Sequence, residues 1–172
     1  MFKISKWSLW SYLILSFAGF VDAAYVTAKI YLSSPLSCAF FENCNRVINS
    51  SYSKIFGAPI SLLGAVFYLT IFLLSVYYVD VSARRDIHPE LKVEGPVERV
   101  DVKRDLALKA IFFLTAFGFA FSLYLVYIQA FLLNQFCLYC LVSALISLIL
   151  FLNTGFNYLK MRNIELTQDE SR

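Results

Sequence analysis

Four long apolar segments alternate with polar ones along this chain. They cover Trp7–Ala28, Ile60–Val79, Ala110–Leu133 and Phe136–Leu159, and Asp22 is the only charged residue within them. Each segment has about 20 residues or more, which is enough for a helix to cross a hydrocarbon core of about 30 Å. The pattern therefore predicts an all-α membrane protein, in which one domain spanning the whole chain forms a bundle of four transmembrane helices.

The polar segments between these helices differ in length and character. Residues 30–59 form a loop between the first two helices, and residues 50–53 within it predict a short amphipathic helix that lies on the bundle. Residues 80–106 mix acidic and basic side chains without an apolar period, which predicts a solvated linker. Residues 163–172 are polar and predict a disordered tail.

Composition and charge placement refine this picture. Hydrophobic residues make up 59% of the chain and the mean hydropathy is +0.66, which excludes an ordinary soluble protein. Basic residues concentrate before helix 1, between helices 2 and 3, and after helix 4: Lys3, Lys6, Arg84, Arg85, Lys92, Arg99, Lys103, Arg104, Lys160, Arg162 and Arg172. The positive-inside rule then predicts an inner or plasma membrane protein with both termini in the cytoplasm and with loop 30–59 outside. The net charge of +3 thus reflects topology and not nucleic-acid binding.

A cleaved signal peptide is the alternative interpretation of the first apolar segment. Lys3 and Lys6 precede it, and residues 21–23 resemble a cleavage site. The segment is long for the apolar region of a signal peptide, and cleavage would remove one of the four helices. These features favour its retention as a transmembrane helix.

Four cysteines carry the candidate chemistry. Cys137 and Cys140 lie one helical turn apart at the start of helix 4, where the unpaired amides and the helix dipole favour a thiolate. Cys38 and Cys44 lie in the outer loop at a spacing that lets them pair while the loop moves. Both pairs are expected on the outer side, where disulfides persist. Two dithiol pairs on one face suit a relay of electrons between a water-soluble partner and a lipid-soluble carrier.

Other interpretations of these polar residues stay open. Four cysteines can bind zinc, although the two pairs are far apart in the sequence, unlike the compact spacing of most zinc sites. The cysteines can also form purely structural disulfides in a membrane scaffold or receptor. Asp22 is either a functional carboxylate, since charge is costly at membrane depth, or a residue that serves packing alone.

Several motifs occur together along the chain. They are Asp22 and Tyr25 in helix 1, Cys38, Cys44 and Ser50 in the outer loop, Ile55–Pro59 before helix 2, Gly64 within it, and Cys137–Ala144 at helix 4. In this combination the chain resembles the vitamin K epoxide reductase family in its bacterial and archaeal form. Many bacterial relatives carry a fused thioredoxin-like domain, and this chain ends soon after helix 4. The resemblance therefore implies a separate thioredoxin-like partner outside the cytoplasm, and we expect a monomer.

The resemblance also implies roles for the four cysteines. A quinone of the ubiquinone, menaquinone or vitamin K type lies within the bundle near the Cys137–Cys140 pair in such proteins. Cys140 then passes electrons to the quinone, and Cys137 is attacked by a thiolate of the loop. Cys44 would be that attacker, and Cys38 would form the mixed disulfide with the protein partner. No metal is expected.

The quinone contacts depart from the family's vertebrate enzymes. Those enzymes hold the quinone oxygens with an Asn and a Tyr, where this chain has Ile60 and Ala144, whose side chains cannot donate. Ser61 or Ser143 can replace them, and Ser50 resembles the family's loop serine. The departures favour plain quinone reduction over epoxide reduction. The candidate quinone-contacting residues are therefore Asp22, Ser50, Ser61 and Ser143.

Overall fold

Four long helices dominate the computed structural model, which describes residues 6–36, 44–48, 50–55, 57–87 and 96–169. A short helix and a two-stranded hairpin lie between the first two long helices. The elements are α1 (Lys6–Tyr31), α2 (Cys44–Ile48), β1 (Lys54–Ile55), β2 (Ala58–Pro59), α3 (Ile60–Ile87), α4 (Pro96–Tyr127), a π-helical turn (Ile128–Leu132) and α5 (Leu138–Asp169).

The four long helices confirm the predicted membrane bundle. Each contains a stretch long and apolar enough to cross a bilayer: Trp10–Tyr31, Ile60–Asp80, Asp105–Leu132 and Leu138–Asn163. Each stretch overlaps one of the segments identified in the sequence. Many of their large apolar side chains, such as Phe117 and Phe156, are exposed on the bundle surface, as lipid-facing positions require.

The helices continue beyond the apolar segments, which corrects two expectations. Helix α3 runs to Ile87 and α4 begins at Pro96, so much of the expected linker 80–106 is helical. Helix α5 runs to Asp169, so the expectation of a disordered tail is wrong for residues 163–169. Hydrophobicity marks where a helix can enter lipid, whereas helix propagation needs only favourable residues such as Arg, Glu, Leu and Lys. Proline at the first position of α4 is compatible with this start.

The described part of the outer loop folds onto the ends of the helices. Helix α2 precedes the position of the predicted amphipathic helix, and residues 51–53 form a single 3₁₀ turn instead. Strands β1 and β2 then pair in antiparallel register, Lys54 with Pro59. Gly57 makes the turn between them with φ of +82°, a value that favours glycine. This hairpin delivers the chain directly into α3.

The long helices form a ring in which α1 packs on α3 and α5, and α4 packs on α3 and α5. The ring of Tyr68 on α3 fits against Gly19 on α1, where a Cβ atom would lie 2.6 Å from the ring. Glycine therefore permits the close approach of these two helices. Tyr68 is buried in this contact, and its hydroxyl reaches across the bundle to α5.

Candidate functional site

Two free thiols stand at the start of α5. Cys137 immediately precedes the helix and is fully buried, whereas Cys140 lies in its first turn and is half-buried. The carbonyl of Cys137 accepts the N–H of Leu141 at 3.1 Å, so Cys137 already takes part in the helical hydrogen-bond pattern. The thiols thus occupy the helix end at which the sequence placed them, and this structure contains them in the reduced state.

The surroundings of Cys137 favour its thiolate form. A hydrogen bond from the Cys140 thiol lowers the pKa of Cys137 to about 7, and the backbone amides of Cys140 and Tyr139 act in the same direction. Burial opposes this effect but does not overcome it. The pKa of this thiol without such neighbours is 9.0. Cys137 is therefore the more acidic thiol expected at a helix N-terminus.

Cys44 lies in the same buried cluster as Cys137. Cys44 is disulfide-bonded and almost completely buried. We call the group the cysteine cluster, and it consists of Val26, Leu36, Cys44, Val47, Ile48 and Cys137, with Ile30, Leu133, Tyr139 and Cys140 packed against it. Helix α2 brings the loop cysteine to the start of α5 because its apolar residues Val47 and Ile48 are buried there. Cys38 lies outside the described residues.

This arrangement bears on the alternative interpretations of the cysteines. A zinc site of four cysteines needs four thiolates, and Cys44 is not available as a thiolate while it is disulfide-bonded. Two structural disulfides would leave no thiol free, whereas Cys137 and Cys140 are both free. One disulfide and one dithiol side by side are what thiol–disulfide exchange requires.

A cavity of about 510 Å³ opens beside Cys140. Its size lies within the usual range for sites that bind small molecules. Its walls are mostly apolar and come from α1, α3, α4, α5 and the outer loop. All four candidate quinone-contacting residues line it together with Cys140: Asp22, Ser50, Ser61 and Ser143. Ile60 lines it as well, at one of the two positions where the family's vertebrate enzymes have a polar side chain.

The three serines differ in how their hydroxyl groups are engaged. The hydroxyl of Ser61 lies 2.9 Å from that of Thr27, whose single proton is also directed at the carbonyl of Ala23 at 2.7 Å. Ser143 lies 2.9 Å from the hydroxyl of Tyr68. Ser50 donates to the carbonyl of Val47 at 2.7 Å and so fixes the chain after α2. Ser50 is thus bonded to its own segment, whereas Ser61 and Ser143 contact hydroxyl groups of other helices.

Tyr68 is a polar residue of the cavity that sequence reasoning missed. Its hydroxyl donates to the carbonyl of Ser143 at 2.7 Å and also contacts the hydroxyl of Ser147 at 2.9 Å. It belongs to an aromatic-rich segment, and nothing in the local sequence separates it from the other tyrosines. Only the packing of α3 against α5 brings these groups together.

Gln129 is a second residue that sequence reasoning missed. It lies in the π-helical turn, is buried, and its side-chain oxygen accepts the N–H of Cys137 at 2.9 Å. It also lines the cavity. A polar signal was present in the sequence, since a carboxamide inside an apolar segment needs a partner. The identity of that partner depends on the turn between α4 and α5.

Comparisons with known proteins agree with this geometry. The profile of the vitamin K epoxide reductase family matches residues 10–154. The thiol-disulfide oxidoreductase LTO1 of Arabidopsis thaliana is 31% identical over 150 residues, which are 86% of this chain and 34% of that protein. This chain thus spans about a third of the length of that relative. The matched region covers parts of all four long helices and both groups of cysteines, and the chain belongs to the vitamin K epoxide reductase family of membrane oxidoreductases.

Proposed function

We propose that this protein is a membrane thiol-disulfide oxidoreductase that supports disulfide bond formation outside the cytoplasm. It takes two electrons from the dithiol of a thioredoxin-like protein and delivers them to a membrane quinone. The dithiol of the partner is oxidised to a disulfide, and the quinone takes up two electrons and two protons to become a hydroquinone. A non-enzymatic scaffold with structural disulfides is the less favoured alternative, because two free thiols adjoin a disulfide-bonded cysteine.

The position of Cys140 carries this proposal. Cys140 belongs both to the surroundings of the cysteine cluster and to the wall of the cavity. Cys137 is buried within the cluster, on the side of Cys44. The two thiols of one helical turn therefore have different neighbours, a disulfide-bonded cysteine for Cys137 and an empty apolar space for Cys140. This division supports electron transfer from Cys44 through Cys137 and Cys140 to a molecule in the cavity.

A quinone matches the chemistry of the cavity. Its ring needs an apolar space, and its two oxygens need donors that can stabilise negative charge as the ring is reduced. The proposed donors are Ser61 and Ser143, and Asp22 is the proposed carboxyl group beside the ring. Ubiquinone, menaquinone and vitamin K share these features. Ile60 cannot donate to an oxygen, which supports a simple quinone over an epoxide as the substrate.

The protein partner is proposed to enter through the outer loop. Cys38 would pair with Cys44 and form the mixed disulfide with the partner. The distribution of basic residues supports a topology with both termini in the cytoplasm and the loop outside, where a thioredoxin-like protein that makes disulfides would work. The proposed partner is a thioredoxin-like protein that acts outside the cytoplasm.

The two ends of the relay can be tested separately with purified protein. Cys140→Ala is expected to abolish reduction of added quinone by dithiothreitol, measured by quinone absorbance, because the last thiol is missing. Cys38→Ala is expected to block oxidation of a reduced thioredoxin-like protein while quinone reduction by dithiothreitol persists. Val142→Ala, an exposed position on the same helix, is the control and should retain both activities. Equal loss of both activities in the two cysteine variants would contradict the relay.

A further inference from the structure

The turn between α4 and α5 holds a glutamine that bonds to the backbone of Cys137 and lines the cavity beside Cys140. Gln129 is only 3% exposed. Its Oε1 atom accepts the N–H of Cys137 at 2.9 Å, and its side chain lines the same cavity as Cys140, close enough to influence that thiol. The single S–H of Cys140 is donated to Cys137. Because Oε1 is bonded to the N–H of Cys137, the carboxamide nitrogen is the atom of Gln129 that can donate to the Cys140 sulfur.

The backbone of the turn holds this side chain in place. The carbonyl of Gln129 accepts the N–H of Gln135 at 3.1 Å, and the carbonyl of Ile128 accepts the N–H of Leu133 at 3.0 Å. These bonds close the wide π-helical turn at its C-terminal end. Such turns often occur at functional sites. In this protein the π-helical turn ends α4 and directs the carboxamide of Gln129 into the bundle.

The exchange step creates a charge on the sulfur that Gln129 contacts. When a Cys44 thiolate attacks Cys137 of an oxidised pair, the Cys44–Cys137 bond forms and the Cys137–Cys140 bond breaks. The electron pair of the broken bond leaves on Cys140 as a thiolate. The rate of such a step rises as the leaving thiolate becomes more stable. In this state Cys137 is bonded to Cys44 and offers Cys140 no donor from its side chain.

We propose that Gln129 is a catalytic residue of this exchange, whose carboxamide nitrogen stabilises the departing Cys140 thiolate. The inference deepens the proposed function and rests on it. The bond from Oε1 to the N–H of Cys137 keeps the carboxamide oriented, so that its nitrogen faces Cys140 during the reaction. A hydrogen bond to an ionised group is about twice as strong as one between neutral groups, which makes a single donor important here.

Two substitutions separate the two hydrogen bonds of Gln129. Gln129→Leu removes both. Gln129→Glu keeps an oxygen that accepts the N–H of Cys137 but replaces the donor to Cys140 with a second negative charge. Gln135→Leu is the matched control, because it removes a carboxamide from the same turn and retains the backbone bond to Gln129. The side-chain oxygen of Gln135 has no hydrogen-bond partner among the described residues.

The measurement is the rate at which Cys140 becomes free. Full-length protein is oxidised with diamide and mixed with dithiothreitol, and samples are quenched with acid, alkylated and analysed by mass spectrometry. Both Gln129 variants are expected to release Cys140 about 10-fold more slowly than wild type, or slower still, while Gln135→Leu stays within about twofold. Release at the wild-type rate in Gln129→Glu would overturn the proposal, even if Gln129→Leu is slow. Should Gln129→Leu fail to fold, Gln129→Glu decides alone.

A Cys44→Ser variant distinguishes failure of this inference from failure of the proposed function. The assay contains neither quinone nor protein partner. If Cys44→Ser releases Cys140 as fast as wild type, the small dithiol bypasses the loop, and only the assay with the protein partner tests the loop route. Dithiothreitol then opens the helix disulfide itself, and the ratio between wild type and Gln129→Glu still tests the role of Gln129. Equal rates in wild type and Gln129→Glu contradict that role, and a slower rate in Gln129→Glu supports it.

Discussion

The acidity of Cys137 should depend on one hydrogen bond from Cys140. This bond is the largest cause of the lowered pKa of Cys137, which falls from 9.0 to about 7. That difference is about 100-fold in the acid dissociation constant, or about 3 kcal/mol of thiolate stabilisation. Cys140→Ala removes the donor but keeps the burial that disfavours charge. We therefore expect the pKa of Cys137 in this variant to rise toward 9 or above.

The expected change is large enough to follow by alkylation. With a pKa of about 7, about half of Cys137 is thiolate at pH 7, whereas with a pKa of 9 the fraction is about 1%. The rate of alkylation by iodoacetamide should thus rise with pH through a midpoint near 7 when the bond is present. In Cys140→Ala the rate at pH 7 should fall about 50-fold, and the midpoint should move to higher pH.

Two features of the assay isolate this bond. A Cys38→Ser/Cys44→Ser background leaves only the thiols of α5, and mass spectrometry assigns the alkylated cysteine. Cys140→Ser serves as the matched variant, because its hydroxyl can still donate to the Cys137 thiolate. Its midpoint should stay close to 7. The reasoning would be refuted by a midpoint near 7 in Cys140→Ala, because the helix end alone would then account for the acidity.

Three further outcomes are expected. In otherwise intact protein, Cys140→Ser should trap a disulfide between Cys44 and Cys137, visible as a joined peptide by mass spectrometry; a dominant bridge from Cys38 would reverse the roles of the loop cysteines. Ser61→Ala should raise the KM for quinone about 5- to 10-fold with little change in kcat, since one neutral hydrogen bond contributes about 1 kcal/mol; an unchanged KM would exclude Ser61 as a quinone contact. A cysteine introduced at Glu94 should resist membrane-impermeant maleimide in intact cells, and its labelling from outside would contradict the proposed topology.

The sequence was most informative where one physical property decides the outcome. Apolar length alone identifies the membrane spans, because every backbone group in lipid must be satisfied within a helix. The position of Cys137 and Cys140 at the start of α5 also followed from the sequence. The candidate residues Asp22, Ser50, Ser61 and Ser143 were chosen from motifs far apart in the chain, and the structure brings all of them to the cavity beside Cys140.

The sequence was least informative where contacts depend on packing between helices. The bond between Thr27 and Ser61 joins residues of α1 and α3, and neither residue has a distinctive local pattern. The inward position of Gln129 depends on a π-helical turn, and the spacing of apolar residues does not predict such a turn. Helix α5 ends later than expected from hydropathy. Hydropathy predicts which residues can lie in lipid, whereas the length of a helix also depends on helix propensity.

The asymmetry between the two thiols explains how one helical turn can serve two different reactions. The exchange with the loop proceeds in two steps. Cys140 leaves first, when Cys44 attacks Cys137. Cys137 leaves second, when Cys38 attacks Cys44 and resolves the bridge. A low pKa makes Cys137 a good leaving group in the second step. For the first step, the donor to Cys140 is the carboxamide of Gln129.

Each sulfur therefore has its own source of stabilisation at the moment when it must carry charge. For Cys137 that source is the helix end and, after Cys140 has taken up a proton from water, the Cys140 thiol. For Cys140 it is a side chain from the preceding turn. Because the carboxamide nitrogen of Gln129 serves Cys140 and not the Cys137 sulfur, a substitution at Gln129 should slow opening of the helix disulfide more than release of Cys137 from the bridge. A residue that merely supports the fold would slow both steps together, so the ratio of the two rates tells the roles apart.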